Sequence, residues 1–167
     1  TLQGLASFPA KHPLHTGMSF GPAAVPAAEN AFKNCDAMLA VGTRFSEIAT
    51  GSFGVTVPEK LVHIDINEQV FSVNYPAAVS VQGDAQAVLI ELVAALKKQK
   101  IKVKKSAVIR QKIAADKQSY LQEWFAHDSK NRVNPGRFFV ELREQLPDDG
   151  IMLADDGNHT FLAAELM

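Results

Sequence analysis

Residues 35–45 read Cys35-Asp36-Ala37-Met38-Leu39-Ala40-Val41-Gly42-Thr43-Arg44-Phe45, and the part from Ala37 to Val41 decides the fold. It is apolar at every position and stops at a glycine, so neither a half-buried strand nor a one-sided helix describes it. Five such residues before a breaker predict a strand buried on both faces, the kind found inside a parallel sheet. The carboxyl ends of such strands are where ligands of open α/β sheets gather. Just upstream, Pro26 predicts a helix reaching about residue 36. Proline suits a first helical turn, and Ala27, Ala28, Ala31 and Phe32 favour the helix and give it an apolar face. Before that, Pro9, Pro13 and Pro22 with Gly4, Gly17 and Gly21 interrupt regular structure and predict a surface loop over 1–25.

Downstream the pattern repeats. Leu61-Val62-His63-Ile64-Asp65-Ile66 reads as a second strand and Val79-Ser80-Val81-Gln82 as a third, closed by Gly83. Asp84 then offers its carboxylate as N-cap to a helix over about 85–99, with Val88, Leu89, Leu92, Val93 and Leu96 on one stripe. Strands alternating with helices predict an α/β fold, a parallel sheet with helices on both faces. Composition then shifts: from Lys97 to Lys117 nine Lys or Arg face Asp116 alone. A linker over 101–133 is expected here, with a connector helix at 106–127 carrying Ile113, Tyr120, Leu121 and Trp124. Asn134 or its predecessor should cap a further helix that opens at Pro135 and ends before Pro147. Ile151-Met152-Leu153-Ala154 predicts a short buried strand, followed by Asp155-Asp156-Gly157-Asn158-His159 and a helix from about Thr160 that is still forming at Met167.

The 167 residues are 47% hydrophobic, with 17 basic and 18 acidic side chains for a net charge of -1. That balance gives no overall pull toward nucleic acid or anionic membrane. The basic stretch reads as a solvated helix, because no aromatic or glycine motif for bases accompanies it. No apolar run approaches a membrane span. Cys35 is the single cysteine, which suits a reducing, cytoplasmic setting. His12 and His15 lack carboxylates or cysteines at ligand spacing, so they read as loop histidines and no metal site is assigned to the chain.

Three places suggest chemistry. Arg44 follows a buried strand directly, at the sheet edge where an arginine can grip phosphate or carboxylate; pairing with a neighbouring aspartate is the alternative. Asp65 sits within an apolar strand and needs a partner, either a ribose-like hydroxyl or a donor from the protein. Gly157-Asn158-His159 precedes a helix whose free N–H groups suit a phosphate, although the aspartates before it would repel one unless a cation intervened.

These residues, in this order, resemble the thiamine-diphosphate-dependent enzymes of the acetolactate synthase and pyruvate oxidase type. The resemblance rests on residues 35–45, Val62-His63-Ile64-Asp65-Ile66 and Gly83-Asp84, with Thr1-Leu2-Gln3-Gly4 and His12-Pro13-Leu14-His15-Thr16-Gly17 before them. Asn134-Pro135-Gly136-Arg137 and Gly157-Asn158-His159-Thr160 carry it further. It implies a Rossmann-like middle domain over 1–100, the linker over 101–133, and the start of a C-terminal thiamine-diphosphate-binding domain over 134–167. Gly42, Arg44 and Asp65 would then lie along a groove that holds FAD in some members and nothing in others, with Gly21 in the loop that passes beneath it. Gly157, Asn158 and His159 would lie near the diphosphate of thiamine diphosphate.

Two places differ from the family pattern: Leu5-Ala6 follows Gly4 in place of Lys-Gly, and Phe20-Gly21-Pro22 stands in place of His-Gly-Thr. The resemblance implies a 2-keto acid substrate, magnesium, and a homodimer or homotetramer. It also implies a thiamine-activating glutamate and a magnesium motif in parts of the parent enzyme outside these residues. No catalytic residue is therefore assigned, and the chain alone is expected to be inactive. A noncatalytic nucleotide-binding module is the alternative from another class; a decarboxylase or oxidase is the alternative within the family.

Overall fold

Three apolar runs become three parallel strands in the computed structural model of the chain, which describes residues 1, 3–19, 21, 24–99, 101, 106–155 and 157–167. Several expectations fall partly outside the described residues. These concern Leu2 in the first turn, Phe20 and Pro22 beside Gly21, Lys100, Lys102, Lys104 and Lys105 of the basic stretch, and Asp156. The helices are α1 (Pro26–Asn34), α2 (Ala85–Lys98), α3 (Ser106–Ala126), α4 (Pro135–Gln145) and α5 (Asn158–Leu166). The chain divides into two compact units. One comprises Ser19–Ala24 and Glu29–Ser106; the other comprises Thr1–Met18, Val25–Ala28 and Ala107–Met167.

The first unit holds the sheet, in the order β1 (Met38–Val41), β2 (Leu61–Asp65), β3 (Val79–Gln82), all parallel. Val41 pairs with Ile64 and Asp65 with Gln82, so the three carboxyl ends are level. The central strand is the most deeply buried, with Leu61, His63 and Ile64 at most 1% exposed. Leu61 packs with Ala40 and Phe45, and Met38, Val57, Tyr75 and Ala77 close around them. Asp84 caps α2 as predicted, its Oδ1 accepting from the Ala87 N–H at 2.9 Å. The predicted stripe is only partly covered. Val88, Leu89 and Leu92 are half-buried, while Val93 and Leu96 are exposed. Lengths account for this: fourteen helical residues span about 21 Å, but strands of four or five residues offer a floor only about 13–17 Å long.

In the second unit Asn134 joins two helices. Its Oδ1 accepts from Arg137 N at 3.1 Å at the start of α4, while its Nδ2 donates to the Trp124 and His127 carbonyls near the end of α3. A Cβ on Gly136 would stand 2.7 Å from Trp124 Cβ, so glycine permits this close approach. Gly136 and Phe139 are the buried residues of α4 and Ala163 that of α5, and the two helices pack together. The strand expected at 151–154 does not form, and Ile151 and Leu153 lie almost fully exposed. A strand exists only through its ladder. The unit's other regular elements are helical, so among the described residues none offers that segment a partner.

Candidate functional site

The site is built on the carboxyl edge of the sheet. The Gly42 N–H donates to the Ile64 carbonyl at 2.9 Å, extending the β1–β2 ladder by one step and setting Gly42 beside Asp65. Gly42 then adopts φ +61°, in the left-handed region, and the chain turns out of the sheet. A Cβ at Gly42 would meet nothing within 4 Å, so the glycine serves conformation and leaves the edge open. Two residues on, Arg44 is exposed and forms no ion pair among the described residues. Among the described residues no aspartate pairs with it. Phe45 turns inward to the core at φ +49°.

Asp65 ends β2 half-buried. Its Oδ1 accepts from the Asn67 N–H at 2.9 Å, while its backbone carbonyl takes the Gly83 N–H. One carboxylate oxygen thus closes a turn of the protein, and Oδ2 accepts no hydrogen bond among the described residues. Gly21 lies against the loop that follows Arg44. At φ +56°, a Cβ there would come within 2.6 Å of the Thr50 carbonyl. Thr50 organises that loop, its hydroxyl donating to the Ser46 carbonyl at 2.8 Å and accepting from Phe53 N at 3.1 Å. Gly21, Gly42, Arg44 and Asp65 therefore belong to one unit, with three of them along the sheet edge. An open backbone, an unpaired guanidinium and a spare carboxylate oxygen are complementary to a ligand carrying phosphates and hydroxyls.

The second unit holds the other three predicted residues. Gly157 precedes α5 at φ +145°, and a Cβ on it would fall 2.9 Å from the His159 ring, which folds back over it. Gly157 makes no side-chain cap, so the first-turn amides of Asn158 and His159 are available to an anion, and both residues are exposed. The Thr160 hydroxyl ties the preceding segment by donating to the Asp155 carbonyl. These features fit a phosphate group.

Sequence reading missed two groups. His63, inside β2, is 1% exposed, and its Nε2 lies 2.7 Å from the Thr43 carbonyl. A polar ring between Val62 and Ile64 was the available signal, because a buried imidazole needs a hydrogen-bond partner. In the second unit, His15, Lys117, Tyr120, Ala163 and Glu165 help to line a cavity of about 580 Å³. Burial, with Lys117 nearby, lowers the His15 pKa; burial also lowers that of Lys117. The Tyr120 hydroxyl donates to Glu165 at 2.9 Å, and its pKa is raised, chiefly by burial. Three separated segments meet here, which no local spacing reveals. His12 has a local role, its Nδ1 accepting from Leu14 N. Among the described residues, no three potential ligands cluster as a metal site would require, and no helix is long and apolar enough to cross a membrane.

Comparison with known proteins adds a family. Residues 1–92 match the family described as "Thiamine pyrophosphate enzyme, central domain". A probable acetolactate synthase large subunit of Methanocaldococcus jannaschii is 41% identical over 107 residues, covering 64% of the chain and 18% of that protein. The acetolactate synthase of Mycobacterium bovis is 30% identical with all of the chain covered and 27% of its own length. The large subunit of acetolactate synthase isozyme 2 from Escherichia coli is 27% identical across 99% of the chain and 28% of its own. The chain thus spans between about a fifth and about a quarter of these relatives.

Proposed function

Because the chain belongs to the thiamine pyrophosphate enzymes through their central domain, we propose that it is a piece of a 2-keto acid carboligase of the acetolactate synthase type. The observation that carries this reading is that similarity to an acetolactate synthase runs through the entire chain, beyond the matched central domain. In this reading residues 1–100 are the middle domain, 101–133 the linker and 134–167 the opening of the thiamine-diphosphate-binding domain. The whole enzyme releases carbon dioxide from one 2-keto acid and transfers the resulting activated aldehyde to an acceptor. When bound, thiamine diphosphate supplies the electron sink for that chemistry.

The chain's own residues bind and orient. The amides of Asn158 and His159 at the start of α5 would receive a phosphate, with Gly157 supplying the left-handed backbone that precedes the helix. Magnesium would accompany the diphosphate, held by parts of the parent enzyme outside these residues. On the sheet edge, Arg44 takes a phosphate of FAD, Gly42 lets the ligand backbone come close, and Asp65 accepts from a ribose hydroxyl through Oδ2. Gly21 shapes the loop next to this edge. Assembly as a homodimer or homotetramer in the cytoplasm belongs to the same reading.

Titration of the folded chain with FAD, followed by quenching of flavin fluorescence, tests the edge. Saturable binding is expected, weakened at least tenfold by Arg44→Ala, the loss typical of a charge-assisted hydrogen bond. Absence of saturation by folded chain would withdraw Arg44 and Asp65 as ligand residues and favour a flavin-free decarboxylase. Acetolactate formation from pyruvate by the whole polypeptide containing these residues, with thiamine diphosphate and magnesium, tests the activity.

A further inference from the structure

The carbonyls of the two residues that neighbour Arg44, Thr43 and Phe45, are both held by side chains from elsewhere in the same unit. His63 Nε2 lies 2.7 Å from the Thr43 carbonyl, and Asn74 Nδ2 donates to the Phe45 carbonyl at 3.0 Å. A carbonyl oxygen only accepts, so the hydrogen of the imidazole is on Nε2. Nδ1 is buried and has no hydrogen-bond partner among the described residues, which fits the same tautomer. The ring is also fixed laterally. Phe45 meets it at 5.3 Å and 78°, and Phe71 meets it at 5.1 Å and 85°, both edge to face. In the ladder His63 stands beside Ala40, whose small side chain leaves the ring a path toward the turn.

We propose that His63 is the positioning residue of the Arg44 turn: with Asn74 it clamps the carbonyls of the two residues that neighbour Arg44, Thr43 and Phe45, so that the guanidinium is presented from a rigid base. The consequence for ligand affinity rests on the reading of Arg44 as a phosphate contact. The clamp itself does not. A turn without it would order its backbone only when a ligand arrives, at an entropic cost to affinity.

Three measurements on the full chain test this. Nitrogen-15 spectra of the wild-type histidine side chains should show His63 with a bare, pyridine-type Nδ1 and a protonated, pyrrole-type Nε2; the opposite tautomer overturns the proposal without any variant. Backbone relaxation should show Arg44 as ordered as the strands, loosened in His63→Asn, whose amide reaches only as far as Nδ1, and restored in His63→Gln, whose amide nitrogen reaches the Nε2 position. Equal order in the two variants overturns it, as does unchanged order in His63→Asn. If His63→Asn does not fold, Asn74→Ala supplies the loosened turn, and the tautomer measurement still decides. FAD titration comes last: His63→Asn should bind about tenfold more weakly than His63→Gln, the effect of one well-aligned hydrogen bond. If wild-type chain binds no FAD while the tautomer and relaxation results hold, the ligand reading of Arg44 fails and the clamp stands.

Discussion

Gly21 and Gly42 both adopt left-handed backbone, for different reasons. At Gly42 there is space for a side chain, so Gly42→Ala should cost roughly the 1–2 kcal/mol of placing an L-residue in that region. At Gly21 the same conformational cost is joined by a collision with the Thr50 carbonyl, so Gly21→Ala should be the more damaging. Urea midpoints of the two variants check the order, and equal midpoints would mean that the Gly21 contact yields easily. His15 provides a pH test. Its folded-state pKa is lowered by burial and by Lys117, so just below the ordinary histidine value of about 6.5 the unfolded chain binds a proton that the folded chain resists. Its stability contribution is present above that value and is lost as pH falls through the folded-state pKa. His15→Gln should flatten this part of a denaturation profile, and nuclear magnetic resonance should find His15 titrating below its usual range.

Helix caps separate local reading from tertiary reading. Asp84 was legible as a cap from its place before an apolar stripe, and it makes one capping bond. Asp84→Ala should therefore cost about 1 kcal/mol. Asn134 was legible as a cap too, but its two bonds to α3 carbonyls were not, because they depend on how α3 and α4 meet. Asn134→Ala should accordingly lose more than Asp84→Ala in thermal melts, and an equal loss would show the inter-helix bonds to be idle. The three strands were legible for a related reason: each is a short run with a hard stop, and the parallel register follows once helices intervene. Residues 151–154 have the same composition and form no strand, since composition predicts willingness to pair while pairing needs a neighbour. The edge residues Gly42, Arg44 and Asp65 could be located from strand ends alone. For His63 the sequence could signal only that a buried imidazole needs a partner, because that partner, Thr43, lies twenty residues away and becomes adjacent only when the turn folds back.

The whole chain is nearly neutral and leaves large apolar side chains in water, among them Ile90 and Val93 on α2 and Ile151 and Leu153 before α5. Clusters of this kind bind apolar dyes and partners. Folded chain should enhance the fluorescence of anilinonaphthalene sulfonate, and paired Ile151→Lys and Leu153→Lys changes should reduce the signal without altering helix content. A signal unchanged by those substitutions would point to α2 instead. The loop after Arg44 has a different bearing on the molecule. Ser52 and Phe53 are consecutive residues at φ +55° and +62°, conformations that asparagine and glycine accept more readily than they do. A library randomised at these two positions and selected for heat resistance should therefore converge on asparagine and glycine. Screening its survivors for flavin affinity would then separate what the loop's backbone requires from what its side chains contribute.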